Sequence, residues 1–275
     1  VVGVTVGITI DKKEYKGRDW IGIYALKGKL LNVRNASVKK ITGNKEIVDI
    51  IQICGFQQNK DYTKEDAFKS LNYGRVLIIA DADQDGTHIA SLILNNIHTL
   101  YPSLLKREIP FLYSMKTPII KLKYNRKEHI FYQEELYRRF VEKLDITKLS
   151  IKYYKGLGTS TDKEIKECFG KKMVYFVNDE KSQQNMVKVF DKSQSDSRKT
   201  WLSEYDAKDT VINLNNHINP LTITDFLNKR LRSFSVYDCE RSIPNIIDGL
   251  KTSQRKILFA IIKKGLTSQS KPMKA

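Results

Sequence analysis

The apolar positions of this chain follow two periods, and the change from one to the other marks the elements. Arg75-Val76-Leu77-Ile78-Ile79-Ala80 is a short, continuous, β-branched run preceded by Gly74. Such a run predicts a strand buried on both faces, as in a parallel sheet. After an acidic stretch, Ile89, Leu92, Ile93, Ile97 and Leu100 recur at helical spacing, with Thr87 placed to cap the start and Pro102 beyond the end. Strand, acidic loop, helix is therefore the order predicted around Asp81. The same reading predicts β-rich runs such as 20–26, a helix over 37–54, a loop or short helix over 59–69, and a hairpin of 119–124 with 129–132. An amphipathic helix over 134–144, a strand at 151–154 and a helix starting within 162–169 follow. Residues 181–219 read as polar and irregular with one helix ending near Tyr205, and helical patterns resume over 223–231 and 243–262.

Composition narrows the class. With 275 residues and 41% hydrophobic side chains, the chain has enough apolar mass for one large domain or two smaller ones, which excludes a disordered tail. No run approaches the roughly 18 apolar residues of a membrane span, and no basic-then-apolar signal segment is present. Three widely spaced cysteines fit buried thiols in a reducing compartment better than a disulfide framework or a zinc site. The first residue is Val1 and the opening stretch is already strand-like, so the sequence reads as a piece of a longer chain. Lysine and arginine outnumber aspartate and glutamate by 48 to 31, a net charge of +17. A polyanion, nucleic acid first, is the partner class this implies, against the plainer reading of a lysine-rich surface.

The candidate chemistry lies in Asp81-Ala82-Asp83-Gln84-Asp85-Gly86-Thr87-His88. Three carboxylates at alternate positions after a strand are held close together at the strand's C-terminal end, where open α/β sheets place ligands. Carboxylates so crowded repel one another unless a cation intervenes, and Mg²⁺ needs only one or two of them plus water. An EF-hand loop begins the same way but needs a glutamate at its twelfth position, which here is Leu92. A plain acidic cap on a helix would need only one or two of the three.

Four segments together carry a family resemblance. Residues 79–89 resemble the D-x-D-x-D-G-x-H-I segment of the TOPRIM domain of type II DNA topoisomerases. Leu26-Lys27-Gly28-Lys29-Leu30-Leu31-Asn32-Val33-Arg34, Lys152-Tyr153-Tyr154-Lys155-Gly156-Leu157-Gly158-Thr159-Ser160, and Arg241-Ser242-Ile243-Pro244-Asn245 through Arg255-Lys256 resemble further segments of that family, in its order. The last of these resembles the entry to a winged-helix domain. Both domains on one polypeptide resemble the eukaryotic and large-DNA-virus form.

The resemblance implies an α/β fold: a TOPRIM-like, mainly parallel sheet flanked by helices over 1–175, a helical connector over 176–222, and the start of a winged-helix domain over 223–275. It implies Asp81 and Asp83 as Mg²⁺ ligands with Asp85 close by. It implies DNA contacts from Lys27, Lys29, Asn32, Arg34, Lys155, Gly156, Arg241, Arg255 and Lys256. Double-stranded DNA and a second copy in a homodimer are the implied partners, with no membrane, and ATP belongs to the complete enzyme. An intracellular location follows, nuclear for a eukaryotic source and host cytoplasm or viral factory for a viral one. The expected activity is a Mg²⁺-assisted transient double-strand break with a covalent tyrosyl–DNA link. Two other readings stand beside it: another TOPRIM enzyme such as a primase or nuclease, which would lack the segment from Ile243 to Lys256, and a non-catalytic DNA-binding module. Three departures bear on these. The family's upstream E-G-D-S motif and its Arg-Tyr pair do not occur in this sequence, so none of the 14 tyrosines is assigned as nucleophile. Lys27 stands where arginine is usual, and Thr252-Ser253 where Pro-Gly is usual.

Overall fold

The computed structural model describes residues 8–10, 13–15, 17–142, 144–145, 149–154, 161, 163–164, 168–267 and 270. Strands β1 (Ile8–Ile10) and β2 (Lys13–Tyr15) form an antiparallel pair, followed by the short helix α1 (Gly17–Trp20). Residues 21–27 contain no strand, contrary to the expectation for 20–26; Trp20 and Ile23 are exposed, and no neighbouring strand pairs with this segment among the described residues. The helix expected over 37–54 is two helices, α2 (Val38–Thr42) and α3 (Lys45–Cys54). Asn44 breaks the run: its side chain accepts from the Ile47 N–H and caps a new helix. Gly55, at a φ of +73°, ends α3 in the left-handed conformation glycine tolerates. Helix α4 (Glu65–Lys69) follows.

The main sheet has four strands in the order β3 (Val76–Ile79), β4 (Leu112–Met115), β8 (Met173–Val177), β9 (Ile218–Thr222). The two outer pairings are parallel and the central β4–β8 pairing is antiparallel. Helix α5 (Gln84–Leu100) connects β3 to β4 and buries Ala90, Leu92, Leu94 and Ile97 in a core shared with Ile78, Leu112, Val174, Phe176 and Leu221. One expectation is corrected here. Strand β3 is an edge strand among the described residues, paired only with β4, and Ile79 is 44% exposed, so it is not covered on both faces.

Between β4 and β8 lies a smaller antiparallel sheet, order β6 (Lys127–Phe131), β5 (Ile120–Tyr124), β7 (Ser150–Tyr153), packed on helix α6 (Glu134–Val141). Its core of Ile120, Leu122, Tyr137 and Val141 is separate from the main one. Both the predicted hairpin and the predicted amphipathic helix are present.

The stretch 181–219, read as irregular with one helix ending near Tyr205, contains α7 (Ser182–Phe190), which was not expected, and α8 (Ser195–Ser203), which is the expected helix. A few apolar anchors, Met186, Phe190 and Trp201, are buried while the intervening polar residues face out. After β9 the chain forms one continuous helix, α9: α-helical at Ile223–Asp225, π-helical at Phe226–Leu231 and α-helical at Arg232–Ser242. Residues 243–251 are not helical, as Pro244 lacks an N–H to donate and Gly249 adopts a φ of +67°. Helix α10 (Thr252–Lys263) then begins, later than the pattern over 243–262 implied.

Candidate nucleic-acid interface and metal site

The acidic loop leaves the C-terminal end of β3 and turns directly into α5. Asp83 is the N-cap, its Oδ1 accepting from the Gly86 N–H at 2.7 Å. Thr87, expected as the cap, is instead buried in the first turn. The turn is tight: a β-carbon on Gly86 would overlap the carbonyl oxygen of Asp81 and lie 3.0 Å from its carbonyl carbon. Glycine at this position lets the helix start close against the strand end, which fixes where Asp81 and Asp83 emerge. Both are exposed.

Asp85 behaves differently. Its two carboxylate oxygens accept from Arg241 Nη1 at 2.7 Å and Nη2 at 2.8 Å, a bidentate pair, and Lys29 Nζ lies 2.8 Å from Oδ1. The Arg241 hydrogen bonds, then those of Lys29, hold the Asp85 carboxyl far below the usual carboxylate range, and Arg241 is raised in turn by Asp85 and Asp238. Asp238 accepts from Arg241 Nε at 3.0 Å, closing a network of two cations and two anions. The network joins three parts of the chain far apart in sequence: the Lys29 segment, the start of α5 and the end of α9. Phe234, on the same face of α9 as Asp238 and Arg241, stacks on His88 at a centroid separation of 4.3 Å and lies under Lys29 Nζ at 5.4 Å. Burial lowers the His88 pKa.

Of the expected DNA contacts, the structure brings together Lys29 and Arg241, both on Asp85, which was expected beside the metal. Asn32 and Arg34 point into a polar network. Asn32 Nδ2 donates to the Phe190 carbonyl at 2.8 Å, and its Oδ1 accepts from Asn95 Nδ2 at 2.9 Å. Arg34 Nη2 lies 3.1 Å from His98 Nδ1, and its Nε donates to Asn95 Oδ1 at 3.4 Å. Burial and the neighbouring Arg34 push the His98 pKa down to about 4, so the ring is neutral and accepts from the guanidinium. Lys27 and Lys256 are exposed. Arg255 clips its own loop, binding Asp248 bidentately at 2.7 and 2.8 Å and the Leu250 carbonyl at 3.1 Å. Lys155 and Gly156 lie outside the described residues.

Asn95, His98, Phe234 and Asp238 were not singled out from the sequence. Phe234, Asp238 and Arg241 do sit at helical spacing, which signals one shared face. Nothing in the spacing says which segment that face meets. Among the described residues no three Asp, Glu, His or Cys side chains converge as a metal cage. Asp81 and Asp83, two exposed carboxylates on the turn that Gly86 tightens, are the residues that could hold a hard dication, while Asp85 is bound to Lys29 and Arg241.

With this geometry in place, the comparisons with known proteins are specific. A Toprim domain matches residues 10–114, and the C-terminal associated domain of TOPRIM matches 115–239. DNA topoisomerase 2 of Invertebrate iridescent virus 6 is 41% identical over 95% of this chain, and that of Plasmodium falciparum is 40% identical over 93%. The Homo sapiens DNA topoisomerase 2-alpha is 41% identical over 90%. The chain belongs to the type II DNA topoisomerase family. It spans 24%, 18% and 17% of the length of these three relatives. The crystal structure of the Plasmodium falciparum topoisomerase II DNA-binding, cleavage and re-ligation domain superposes with a TM-score of 0.74 at 40% identity, covering 88% of this chain and 33% of that one.

Proposed function

We infer that this chain is a segment of the DNA-cleavage core of an ATP-dependent type II DNA topoisomerase, acting on double-stranded DNA as part of a homodimer, with the nucleophilic tyrosine outside the segment. The observation that supports this reading is the assembly of Lys29, Asp85 and Arg241 beside the Asp81–Asp83 turn, three segments converging on the loop that the resemblance assigns to the metal. Asp81 and Asp83 would hold Mg²⁺, which when bound stabilises charge on the scissile phosphate and on the leaving 3′ oxygen. The chain's own contribution is to place cations around that point. Lys29 and Arg241 are oriented by Asp85, and the exposed Lys27 and Lys256 present flexible point charges to the backbone. Lys155 and Gly156 remain contacts proposed from the resemblance. Asn32 and Arg34 hold the Lys29 segment in place through their hydrogen bonds to the Phe190 carbonyl, Asn95 and His98. The viral and eukaryotic relatives support an intracellular site of action.

The test is relaxation of supercoiled DNA by the complete enzyme with Mg²⁺ and ATP. Asp81→Ala should lower activity by about 100-fold, and Asp81→Asn with Asp83→Asn should abolish Mg²⁺ binding in calorimetric titration. Relaxation at the wild-type rate by Asp81→Ala would remove the metal assignment.

A further inference from the structure

Next to the Lys29 segment, and sharing its Leu31 and Asn32, lies an open cleft of about 450 Å³ whose basic residues are not among the expected DNA contacts. One wall is the stretch holding Asn32 and Asn35 with Lys40 of α2. The other is Phe190 at the end of α7, with Lys192 and Arg198 beyond it. Hydrogen bonds across the cleft hold the walls in register: Asn32 Nδ2 to the Phe190 carbonyl at 2.8 Å, Asn35 Nδ2 to Asp191 Oδ2 at 3.1 Å, and the Lys192 N–H to Asn35 Oδ1 at 2.9 Å. The cavity is thus already formed and does not need to be opened by a ligand.

Its charge is net basic, three cations against the neighbouring Asp191 carboxylate. Lys40, Lys192 and Arg198 line it, and no carboxylate does. The adjacent Asp191 is occupied by Asn35 and by the Ser193 N–H and hydroxyl at 2.9 and 2.8 Å. Arg198 is pinned by donating to the Lys188 and Asp191 carbonyls, which orients the guanidinium without neutralising it. Neither the Lys40 nor the Lys192 ammonium has an acidic partner among the described residues, and both are exposed.

We propose that this cleft binds backbone phosphates of duplex DNA, extending the contact surface from Lys29 past Asn32 to Lys40, Lys192 and Arg198. The chemistry recognised is the phosphate group. Two features favour a polynucleotide over a small phosphate ligand: the cleft is open, so a strand can lie across it, and its wall residue Asn32 belongs to the segment that carries Lys27 and Lys29. The proposal rests on the reading of that segment as a DNA contact.

The experiment is fluorescence anisotropy of a labelled 40-base-pair duplex against KCl concentration, with the complete protein, Lys29→Ala, and the double variant Lys40→Ala/Lys192→Ala. Each phosphate contact contributes about 0.9 to the slope of log affinity against log salt, so the double variant should flatten the slope by about 2, equally for unrelated sequences. Lys29→Ala should flatten it by about 1. A flattened slope for Lys29→Ala with none for the double variant overturns the cleft and leaves the wider reading standing. No change for either overturns both. Inorganic pyrophosphate binding that the double variant loses, with the duplex slope unchanged, also overturns the proposal, because the cleft would then serve a free phosphate.

Discussion

Gly86 shows how one missing β-carbon sets a site. Alanine there would press on the Asp81 backbone, which must shift for the helix to start where it does. Gly86→Ala is expected to cost about 1–3 kcal/mol in denaturant unfolding and to weaken Mg²⁺ binding beyond that of an equally destabilised surface variant. His98 offers a second residue-scale test, through pH. Its folded pKa of about 4 lies below its ordinary value of 6.5, so between those values the unfolded chain takes up the proton and the native one does not. The contribution is whole above about pH 6.5 and is lost as pH falls toward 4, a depression worth on the order of 3 kcal/mol. His98→Gln should flatten the stability–pH curve in that window. An unchanged curve would mean that the ring does not titrate there.

At the scale of elements, helix limits were partly legible: the ends at Cys54 and before Pro102 were read from the sequence, while the break at Asn44, the cap at Asp83 and the late start of α10 were not. Asn44, Gly55 and Pro102 end or begin helices for reasons local to the chain: a side-chain cap, a left-handed residue, a missing donor. The β3–acidic loop–α5 unit followed from periodicity alone. The 20–26 run failed because β-rich composition does not make a strand without a neighbour to pair with. Helix α8 is the helix expected to end near Tyr205, whereas α7 was hidden because two buried apolar anchors, Met186 and Phe190, among polar residues leave a weak period. Trp201 is held in part by donating its indole N–H to Asn228 Oδ1 at 2.7 Å, a partner 27 positions away that no local pattern shows.

Across the whole molecule, the two hydrophobic clusters predict unequal stability. The small sheet of β5, β6 and β7 rests on few buried side chains, and its link to the 212 region includes the reciprocal pair of Gln133 with the Ile212 backbone at 2.8 and 2.9 Å. Hydrogen exchange should report opening of β5–β7 at a lower free energy than β4 and β8. Equal protection of the two sheets would show a single cooperative unit. At the far end, α10 buries none of its residues and leaves Ile257, Phe259 and Ile262 exposed. The net charge of +17 acts at this scale too, drawing polyanions to the molecule in a salt-dependent manner.

The sequence alone determined the strand–acidic loop–helix unit, the family, and the residue types able to hold a hard cation and face a phosphate backbone, because periodicity, capping and motif spacing are local properties. Only the tertiary structure decided how those residues are used. It separated Asp85, bound to Lys29 and Arg241, from Asp81 and Asp83, and it turned the half-buried Arg34 toward Asn95 and His98. It also built a basic cleft from segments some 150 residues apart. Ion pairs, burial and clefts arise between segments that meet only on folding, so their partners are written nowhere in the neighbouring sequence.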